Sequence, residues 1–391
     1  MADAPAFGRR PKFFEDSADI DDFQFAFELC PGAGLSYTPD MLRRKNLIES
    51  ITSKWGPVLE VWEGHAADPE IRFKGSSGGA MSAISLYCLQ REGMHGVLHT
   101  KADEEKPYLN KTTMSKTRDD LLDAIGSRYS PASPCEKLLD IETAPSPCVF
   151  IGKPCDVAAV QNARRYRPDL NDKVGLTMAC FCAGTPSTNG TLEMLRKMNV
   201  NTLDDLIALR YRGCGWPGTT VVEKKTNYGI VKLEITYEQS WGDILEKYRQ
   251  WRCYVCPDHT GEFADISTGD PWYREIRKDE QGYSLILART EIGKKIIDGA
   301  IAAGYLVAEK KTPLILPASQ PFFPKGRAML WGRLRSLKLT NAPCPAYNGF
   351  SLSALWKDDV TIKDKVKTIW GTIKRIFKKK LKMKQNIMFG Q

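Results

Sequence analysis

The stretch PCVFIGKPCDVAAVQNARRY, residues 147–166, decides the fold, because it contains a strand, a turn and a helix in one run. Residues 147–152 are short and apolar, which is typical of a buried strand. Residues 153–155 (KPC) form a turn that ends in a cysteine, and residues 156–166 have a helical composition. Such units in succession predict a largely parallel sheet with functional turns at the strand ends.

The same order recurs along the chain. A Gly/Ser turn opens a predicted helix in residues 72–93, and the apolar run 96–100 follows as a strand. Residues 173–181 predict another strand, 182–187 a turn and 191–198 a helix. Near the end of the core, residues 284–290 predict one more strand and residues 291–306 one more helix.

The pattern changes after residue 205. Three runs predict strands of an antiparallel insertion, at residues 203–213, 219–225 and 228–238. A predicted helix at residues 240–251 then leads into the C-x-x-C pair. We therefore predict an α/β protein with a mixed, largely parallel sheet core, an antiparallel insertion and a C-terminal helical tail. Its predicted parts are an N-terminal arm or cap (1–70), the α/β core (71–305), a Pro-rich extension (306–360) and a basic amphipathic tail (361–391).

Composition indicates a globular protein of a reducing compartment. The chain has 391 residues, 42% of them hydrophobic, and its length predicts two lobes. Residues 1–22 contain no apolar run typical of a signal peptide, and no stretch approaches the ~18 apolar residues of a spanning helix. We therefore expect a cytoplasmic location, where the eleven cysteines are ligands, core residues or reactive thiols rather than disulfides.

The net positive charge of the chain comes from its tail. Residues 363–384 contain ten Lys or Arg and one Asp, and this surplus of nine equals the net charge of +9 of the whole chain. The neutral remainder does not predict binding to nucleic acid. Apolar residues recur at helical spacing in the tail, which predicts a basic amphipathic helix. Such a helix would bind peripherally to an anionic membrane surface, bind an acidic partner, or pack on the body as a final helix.

Four cysteines predict an inorganic site: Cys155, Cys182, Cys253 and Cys256. The first two follow successive strands at equivalent turns, so they face one edge of the sheet, and the last two have the C-x-x-C spacing. Four thiolates suit an iron–sulfur cluster or a structural zinc, and distant turns with a single C-x-x-C favour the cluster. His259 is a weaker candidate ligand.

The other cysteines carry weaker signals. Cys88 and Cys180 lie in apolar runs, which predicts two small core residues. Cys214, in RYRGCGWPG, has either a packing role or a place in the active site. The remaining ones (Cys30, Cys135, Cys148 and Cys344) lack a paired spacing.

Three further motifs suit an anionic, planar ligand. GSSGGA (75–80) is either an anion cradle at a helix N-terminus or a simple capped turn. ADISTGDPW (264–272) offers carboxylates and hydroxyls to a ribityl or ribose chain. RYRGCGWPG (210–218) brings Arg210, Arg212 and Trp216 into one turn, suited to clamping and stacking.

Taken together, these motifs resemble the coenzyme F420 hydrogenase/dehydrogenase β-subunit family. These are iron–sulfur flavoproteins related to plant 7-hydroxymethyl chlorophyll a reductase and to a bacterial-type divinyl chlorophyllide reductase. The matching stretches keep the family's order over roughly residues 70–305: FKGSSGGAMSAISLYCLQREGMHGVLHTK, GSRYSPASP, IGKPCDVAAV, CFCAGTPS, RYRGCGWPG and WRCYVCPDHTGEFADISTGDPW.

The resemblance implies FAD, one 4Fe–4S cluster and electron transfer to or from an organic substrate or coenzyme. It places the cluster on Cys155, Cys182, Cys253 and Cys256. It places the FAD contacts on Ser76, Ser77, Gly78, Gly79, Thr100, Lys101, Lys153, Asp265, Ser267, Gly269 and Asp270. A protein electron donor or acceptor such as a ferredoxin is the implied partner.

One departure from the family limits what the resemblance implies. Many relatives carry an N-terminal ferredoxin-like region with several C-x-x-C runs, whereas here only Cys30 of ELCPGAG remains. The resemblance therefore implies a one-cluster protein and does not transfer the chlorophyll-reductase activities. Two alternatives stay open: a non-catalytic α/β binding protein with a four-cysteine zinc site, and an electron-transfer subunit of a larger complex.

Overall fold

The stretch at residues 147–166 forms the strand, turn and helix that its sequence predicts. Cys148–Gly152 is a strand that begins with fully buried residues, and Pro154–Arg164 is a helix. Proline suits the first turn of a helix because its missing N–H needs no partner there. The side chain of Asp156 accepts a hydrogen bond of 2.9 Å from the Lys153 N–H, which fixes where the helix begins.

The computed structural model describes residues 1–11, 20–277 and 279–383. Within these ranges the chain forms fifteen β-strands. They are β1 Ala2–Ala4, β2 Gly8–Arg10, β3 Gly34–Ser36, β4 Glu60–Ala66, β5 Val97–Ala102, β6 Asn110–Ser115, β7 Cys148–Gly152, β8 Val174–Cys180, β9 Leu206–Arg210, β10 Thr219–Thr226, β11 Gly229–Thr236, β12 Ile266–Gly269, β13 Ser284–Ala288, β14 Leu306–Lys310 and β15 Ala346–Asn348.

Helices separate most of these strands. They are α1 Ile20–Leu29, α2 Pro39–Leu42, α3 Glu49–Trp55, α4 Pro69–Lys74, α5 Ala80–Gln90, α6 Arg118–Asp123, α7 Leu138–Glu142, α8 Pro154–Arg164, α9 Pro168–Lys173, α10 Thr188–Lys197, α11 Trp251–Tyr254, α12 Glu291–Ala302, α13 Ile315–Ser319, α14 Phe322–Leu339, α15 Leu352–Asp359 and α16 Ile362–Lys378. No helix in the described ranges has both the length and the apolar composition needed to cross a bilayer.

Eight strands of the described chain form one mixed sheet in the order β14-β4-β13-β12-β8-β7-β5-β6. The central four, β12, β8, β7 and β5, are parallel to their neighbours within the group, and the outer pairings are antiparallel. Helices α8 and α5 belong to two buried apolar clusters of this sheet region. The predicted fold class, an α/β protein with a mixed sheet, is confirmed. The sheet is parallel only at its centre and not largely parallel as predicted, because three of its seven pairings in the described chain are parallel and four are antiparallel.

The antiparallel insertion is also confirmed. Strands β9, β10 and β11 form a separate three-stranded sheet with antiparallel pairings. The large sheet takes in β4 and β14, which lie just outside the predicted core of residues 71–305. The C-terminal region is helical, and α14 packs against both α15 and α16. Residues 384–391 of the predicted tail lie outside the described residues.

The predicted helix over residues 240–251 is wrong. This segment consists of a π-helical turn (Glu238–Gly242), a 3-10 turn (Leu245–Tyr248) and the short helix α11. The reason is that its backbone bonds to another segment: Gln250 N–H donates to the Thr185 carbonyl at 3.1 Å, and the Tyr248 carbonyl accepts from Ser187. Arg249 and Gln250 are extended to make these bonds, which ends the helical geometry.

Candidate functional site

A cavity opens where the four parallel strands of the sheet end. The carboxyl ends of adjacent parallel strands meet at one edge of a sheet, and this is where α/β proteins bind ligands. In register, Gly152 of β7 lies beside Ala179 of β8, and Thr268 of β12 lies beside Cys180. The cavity encloses about 320 Å³ and takes residues from each of these strand ends.

The GSSGGA motif forms one wall of the cavity. Gly79 precedes α5 with a φ of 70°, and no side chain caps the first turn of this helix. Residues 79–82 line the cavity, so the positive end of the helix dipole and unsatisfied backbone N–H groups border it. A side chain at Gly79 would have its Cβ 2.5 Å from the Ile71 carbonyl oxygen, which requires glycine. This arrangement is suited to a phosphate group.

Most of the cofactor contacts implied by the sequence lie together in this cavity. Seven of them line it: Ser76, Ser77, Gly79, Thr100, Lys153, Gly269 and Asp270. The Lys153 ammonium lies 2.6 Å from an Asp156 oxygen. Burial is the largest single effect and lowers the pKa of Lys153, but Asp156, Cys155 and Cys182 together raise it by more, so the net pKa is raised and the ammonium stays charged.

The other four candidates, Gly78, Lys101, Asp265 and Ser267, are not among the lining residues of the described cavity. Asp265 accepts from the Thr177 hydroxyl at 2.7 Å, which ties β8 to β12. Ser267 accepts from the buried Arg289 at 2.6 Å, and Lys101 pairs with Asp123 at 2.6 Å. The Gly78 carbonyl accepts from the Ala66 N–H. Their groups therefore hold the scaffold of the site.

Arg212 is the charged residue buried deepest in the cavity wall. Its side chain is 2% exposed and donates two hydrogen bonds to Asp270, of 2.8 and 2.9 Å. The Trp216 indole donates to the same carboxylate at 2.8 Å. Burial would lower the pKa of Arg212, yet the charge of Asp270 raises it well above its ordinary value. Arg212 and Trp216, two residues of the predicted clamp, thus bind the Asp270 carboxylate, whereas Arg210 donates to the Gly213 carbonyl.

Aromatic rings surround this ion pair. The Arg212 guanidinium lies 5.0 Å from the centre of the Tyr237 ring and 5.6 Å from that of Trp272. Tyr129 and Trp241 pack nearby in a tilted pair, with ring centres 4.9 Å apart, and all four rings border the cavity. Such surfaces suit a flat, conjugated ligand. No local sequence pattern indicated Tyr129, Tyr237 and Trp241, because these residues are distant in sequence and come together only in the fold.

The segments that carry the four candidate cluster cysteines meet beside the cavity. Cys155 lies in the first turn of α8, and Cys182 lies two residues beyond β8. The Cys253 sulfur accepts from the Thr185 N–H at 3.2 Å, and Cys182 N–H donates to the His259 carbonyl at 2.9 Å. These bonds fasten the loop after β8 to the C-x-x-C segment.

The four thiols influence one another in a closed ring, and Cys180 adjoins it. Burial raises the pKa of Cys182 well above its ordinary value, and Cys253, Cys180 and Cys155 raise it further. Burial, Asp156 and then Cys256 raise the pKa of Cys155, against the opposing effect of Lys153. Burial raises the pKa of Cys256 to about 11, with smaller contributions from Asp258 and Cys253 opposing Arg252. The set is therefore one group of neighbouring thiols.

Two kinds of inorganic group take four thiolates in proteins. A structural zinc has four ligands that converge on one point, whereas a cluster of four irons and four sulfides is larger and takes its thiolates at separate corners. In the described ranges no three His, Cys, Asp or Glu side chains are placed so that they could hold one metal ion.

Two further predictions have clear outcomes. Cys88 is fully buried, as predicted. The prediction for Cys180 is wrong, because it ends β8 exposed toward the cavity instead of packing in the core.

His259 Nδ1 lies 2.8 Å from the Cys182 carbonyl oxygen, which only accepts, so Nδ1 carries the proton in this bond. Burial lowers the pKa of His259.

The loop at residues 182–186 joins the two parts of the site. All five residues line the cavity, and Cys182 at the same time belongs to the ring of four thiols. A ligand in the cavity would therefore contact the backbone that carries a candidate cluster cysteine.

Two family models match the chain over most of its length. Residues 61–140 match the N-terminal part, and residues 147–313 the C-terminal part, of the coenzyme F420 hydrogenase/dehydrogenase β subunit. The two matches cover the large sheet and both parts of the site. They include all four candidate cluster cysteines.

Curated relatives agree with this match. The chain is 29% identical to the coenzyme F420 hydrogenase subunit β of Methanococcus voltae, over 62% of this chain and 80% of the relative. It is 25% identical to the F420-dependent formate dehydrogenase 1 subunit β of Methanococcus maripaludis, over 65% of this chain and 62% of the relative. A chain in the F420-reducing [NiFe] hydrogenase complex from Methanosarcina barkeri has the same fold, with a TM-score of 0.60 at 22% identity, covering 76% of this chain and 98% of that one.

Proposed function

The chain belongs to the coenzyme F420 hydrogenase/dehydrogenase β-subunit family, and on that premise we propose that it is an iron–sulfur flavoprotein oxidoreductase. It moves electrons between one 4Fe–4S cluster, FAD and an organic substrate or coenzyme of the F420 type. The observation that carries this proposal is the loop at residues 182–186, which lines the cavity and also supplies Cys182 to the ring of thiols.

The cavity residues have separate tasks in this proposal. Unsatisfied N–H groups at the start of α5 bind the phosphates of FAD, because the dipole of this helix favours negative charge. The Lys153 ammonium adds a positive charge at the neighbouring strand end. The rings beside Arg212 hold a flat ring system and exclude water from it.

The cysteines and the loop complete the site. Cys155, Cys182, Cys253 and Cys256 hold the cluster, and Gly184 allows the loop to approach Cys253 closely. When bound, FAD exchanges two electrons as a hydride with an organic molecule and single electrons with an iron–sulfur cluster. The task of the protein is to keep both groups within reach and to orient the organic partner over the cavity.

The relatives also favour a role within an assembly. The two curated relatives described above are named as β subunits of a hydrogenase and a formate dehydrogenase. We therefore propose that another polypeptide, either a ferredoxin-like carrier or a further subunit, exchanges electrons with this chain. In the second case the chain is an electron-transfer subunit, and another polypeptide binds the organic substrate.

Cofactor analysis of anaerobically purified protein tests the proposal. We expect bound FAD, and iron and acid-labile sulfide at about four each per chain, which is the composition of one 4Fe–4S cluster. The variant Cys182→Ser should lose iron and sulfide. Cys214→Ser, which alters an exposed cysteine that does not line the cavity, should keep both. Stoichiometric zinc without flavin, or equal iron in both variants, contradicts the proposal.

A further inference from the structure

Helix α16 presents a second apolar face to solvent. It packs against α14, and Thr368, Thr372 and Ile376 are buried. Four large apolar residues remain exposed: Ile362, Val366, Trp370 and Phe377, with Trp370 70% and Phe377 64% exposed. Their spacing of four, four and seven residues places them in one stripe along the helix, next to the buried face. The apolar stripe is therefore not used to pack this helix on the body.

A row of lysines runs beside this stripe. Lys363, Lys367, Lys374 and Lys378 follow at helical spacing and occupy the adjoining strip of surface. Across the described residues, none of these four ammonium groups lies within 4.0 Å of a carboxylate. The one acidic residue of α16, Asp364, pairs with Lys325 of α14 at 3.4 Å.

Two other positive residues of the helix, Lys365 and Arg375, face the body of the protein. Their charged groups lie over the rings of Trp356 and Tyr254, at 5.8 and 5.3 Å from the ring centres. Within the described part of the chain, the lysine row on the other side has no such contact. The helix contains six Lys or Arg and one Asp, a surplus of five, so it is a cationic element of the protein surface.

We propose that this exposed face of α16, with its apolar stripe and its lysine row, docks the protein on an anionic lipid surface. The helix lies in the plane of the interface, with Trp370 and Phe377 among the headgroups and the lysines on lipid phosphates. Tryptophan and phenylalanine beside lysine on one helix is the composition that favours a lipid interface. An acidic protein would pair with the lysines, but its carboxylates would not cover the apolar stripe. This proposal does not rest on the cofactors.

Flotation of the full chain with vesicles tests it. We expect binding to phosphatidylcholine vesicles that contain anionic phosphatidylglycerol and little binding to phosphatidylcholine alone. High salt should weaken it, because ions screen the lysine–phosphate attraction. The double variant Trp370→Ser, Phe377→Ser should lower the partition coefficient about a hundredfold, since two large apolar side chains no longer leave water. A matched control, Tyr228→Ser with Phe322→Ser, removes two similarly exposed rings elsewhere and should bind normally.

A second pair of variants tests the charges. Changing Lys363, Lys367, Lys374 and Lys378 to Gln should lower binding at least about a hundredfold. The same change at four exposed lysines of other elements (Lys197, Lys225, Lys232 and Lys247) should have a small effect. Absence of vesicle binding, or equal binding by test and control variants, overturns the proposal. A dimer that the double variant abolishes, without vesicle binding, also overturns it and assigns the face to a second copy.

Discussion

Arg212 and Asp270 form a two-point ion pair in the wall of the cavity, with N···O distances of 2.8 and 2.9 Å. The guanidinium also donates to the Ser76 and Pro217 carbonyls, at 2.6 and 2.7 Å. One side chain thereby connects the GSSGGA turn, the turn after β9 and the strand end of β12. The shape of the cavity depends on this connection.

Replacing Arg212 by Lys should damage both stability and cofactor retention. A lysine keeps the charge but lacks the fork that satisfies Asp270 and the two carbonyls. We expect the free energy of unfolding to fall by about 3 kcal/mol, as for other broken buried pairs. Arg196→Lys, in an exposed pair with Glu193, should change it by less than about 1 kcal/mol. Chemical denaturation and flavin fluorescence after gel filtration measure the two effects, and equal losses in both variants would contradict this role.

Gly184→Ala should lower the iron content. Gly184 has a φ of 120°, and a Cβ there would lie 2.8 Å from Arg249 Cδ and 3.1 Å from Cys253 Cβ. The added methyl group must therefore displace the segment that carries Cys253. Gly304→Ala is the matched control, because Gly304 also has a positive φ but nothing in the described structure lies within 4 Å of its added Cβ. Both variants should lose about 1 kcal/mol through backbone strain, and only the first should lose iron. Equal iron in the two proteins would show that this close approach has no role.

His99 should make stability depend on pH. Burial lowers its pKa from 6.5 to about 4, and its Nε2 lies 2.7 Å from the Ser115 hydroxyl. Between these two values the unfolded chain binds a proton that the folded chain does not, so the free energy of unfolding falls as the pH decreases from 6.5 to about 4. The full loss is about 3 kcal/mol for a shift of this size.

His99→Gln should remove that part of the pH dependence, because glutamine forms hydrogen bonds but does not titrate. His95→Gln, at a half-exposed histidine, should leave most of it in place. Denaturation curves at several pH values between about 4 and 7 provide the measurement. A variant that keeps the slope of the unmodified protein would assign the dependence to other groups.

Alanine substitution at two adjacent residues of α16 should have different effects on stability. Ile376 is fully buried against the helices of the C-terminal region, so Ile376→Ala should cost about 2–5 kcal/mol of unfolding free energy. Phe377 is 64% exposed, so Phe377→Ala should leave stability nearly unchanged. Urea denaturation of the two proteins gives the comparison. Similar losses in both would mean that the exposed face of the helix packs on the protein.

Local patterns predicted the elements that the centre of the sheet uses. The apolar runs at β7 and β8, each followed by small residues, identified the strand ends where Cys155 and Cys182 lie. Periodicity failed where long-range bonds decide the backbone, as in residues 240–251. Their hydrophobic spacing is helical, but the extended backbone at Arg249 and Gln250 bonds to the loop at residues 183–187.

The candidate site was predictable to the extent that its residues follow strands in the sequence. Residue type alone did not distinguish Asp270, which lines the cavity, from Asp265, whose oxygens accept from Thr177 and Thr290. Cys180 was placed in the core because it ends an apolar run, although the end of a strand is also where the sheet opens to the cavity. Tyr129 and Trp241 carry no local signal, since their partners are distant in sequence.

The arrangement of the four thiols also has a consequence for how the protein is made. Cys155 and Cys182 come from neighbouring strand ends, while Cys253 and Cys256 belong to a segment that follows the whole three-stranded insertion. A ribosome must release roughly a hundred residues beyond Cys155 before the fourth thiol exists. The sheet beside them is completed later still, by β12, β13 and β14. If the chain binds the proposed cluster, all four cysteine ligands are available only after translation has passed Cys256.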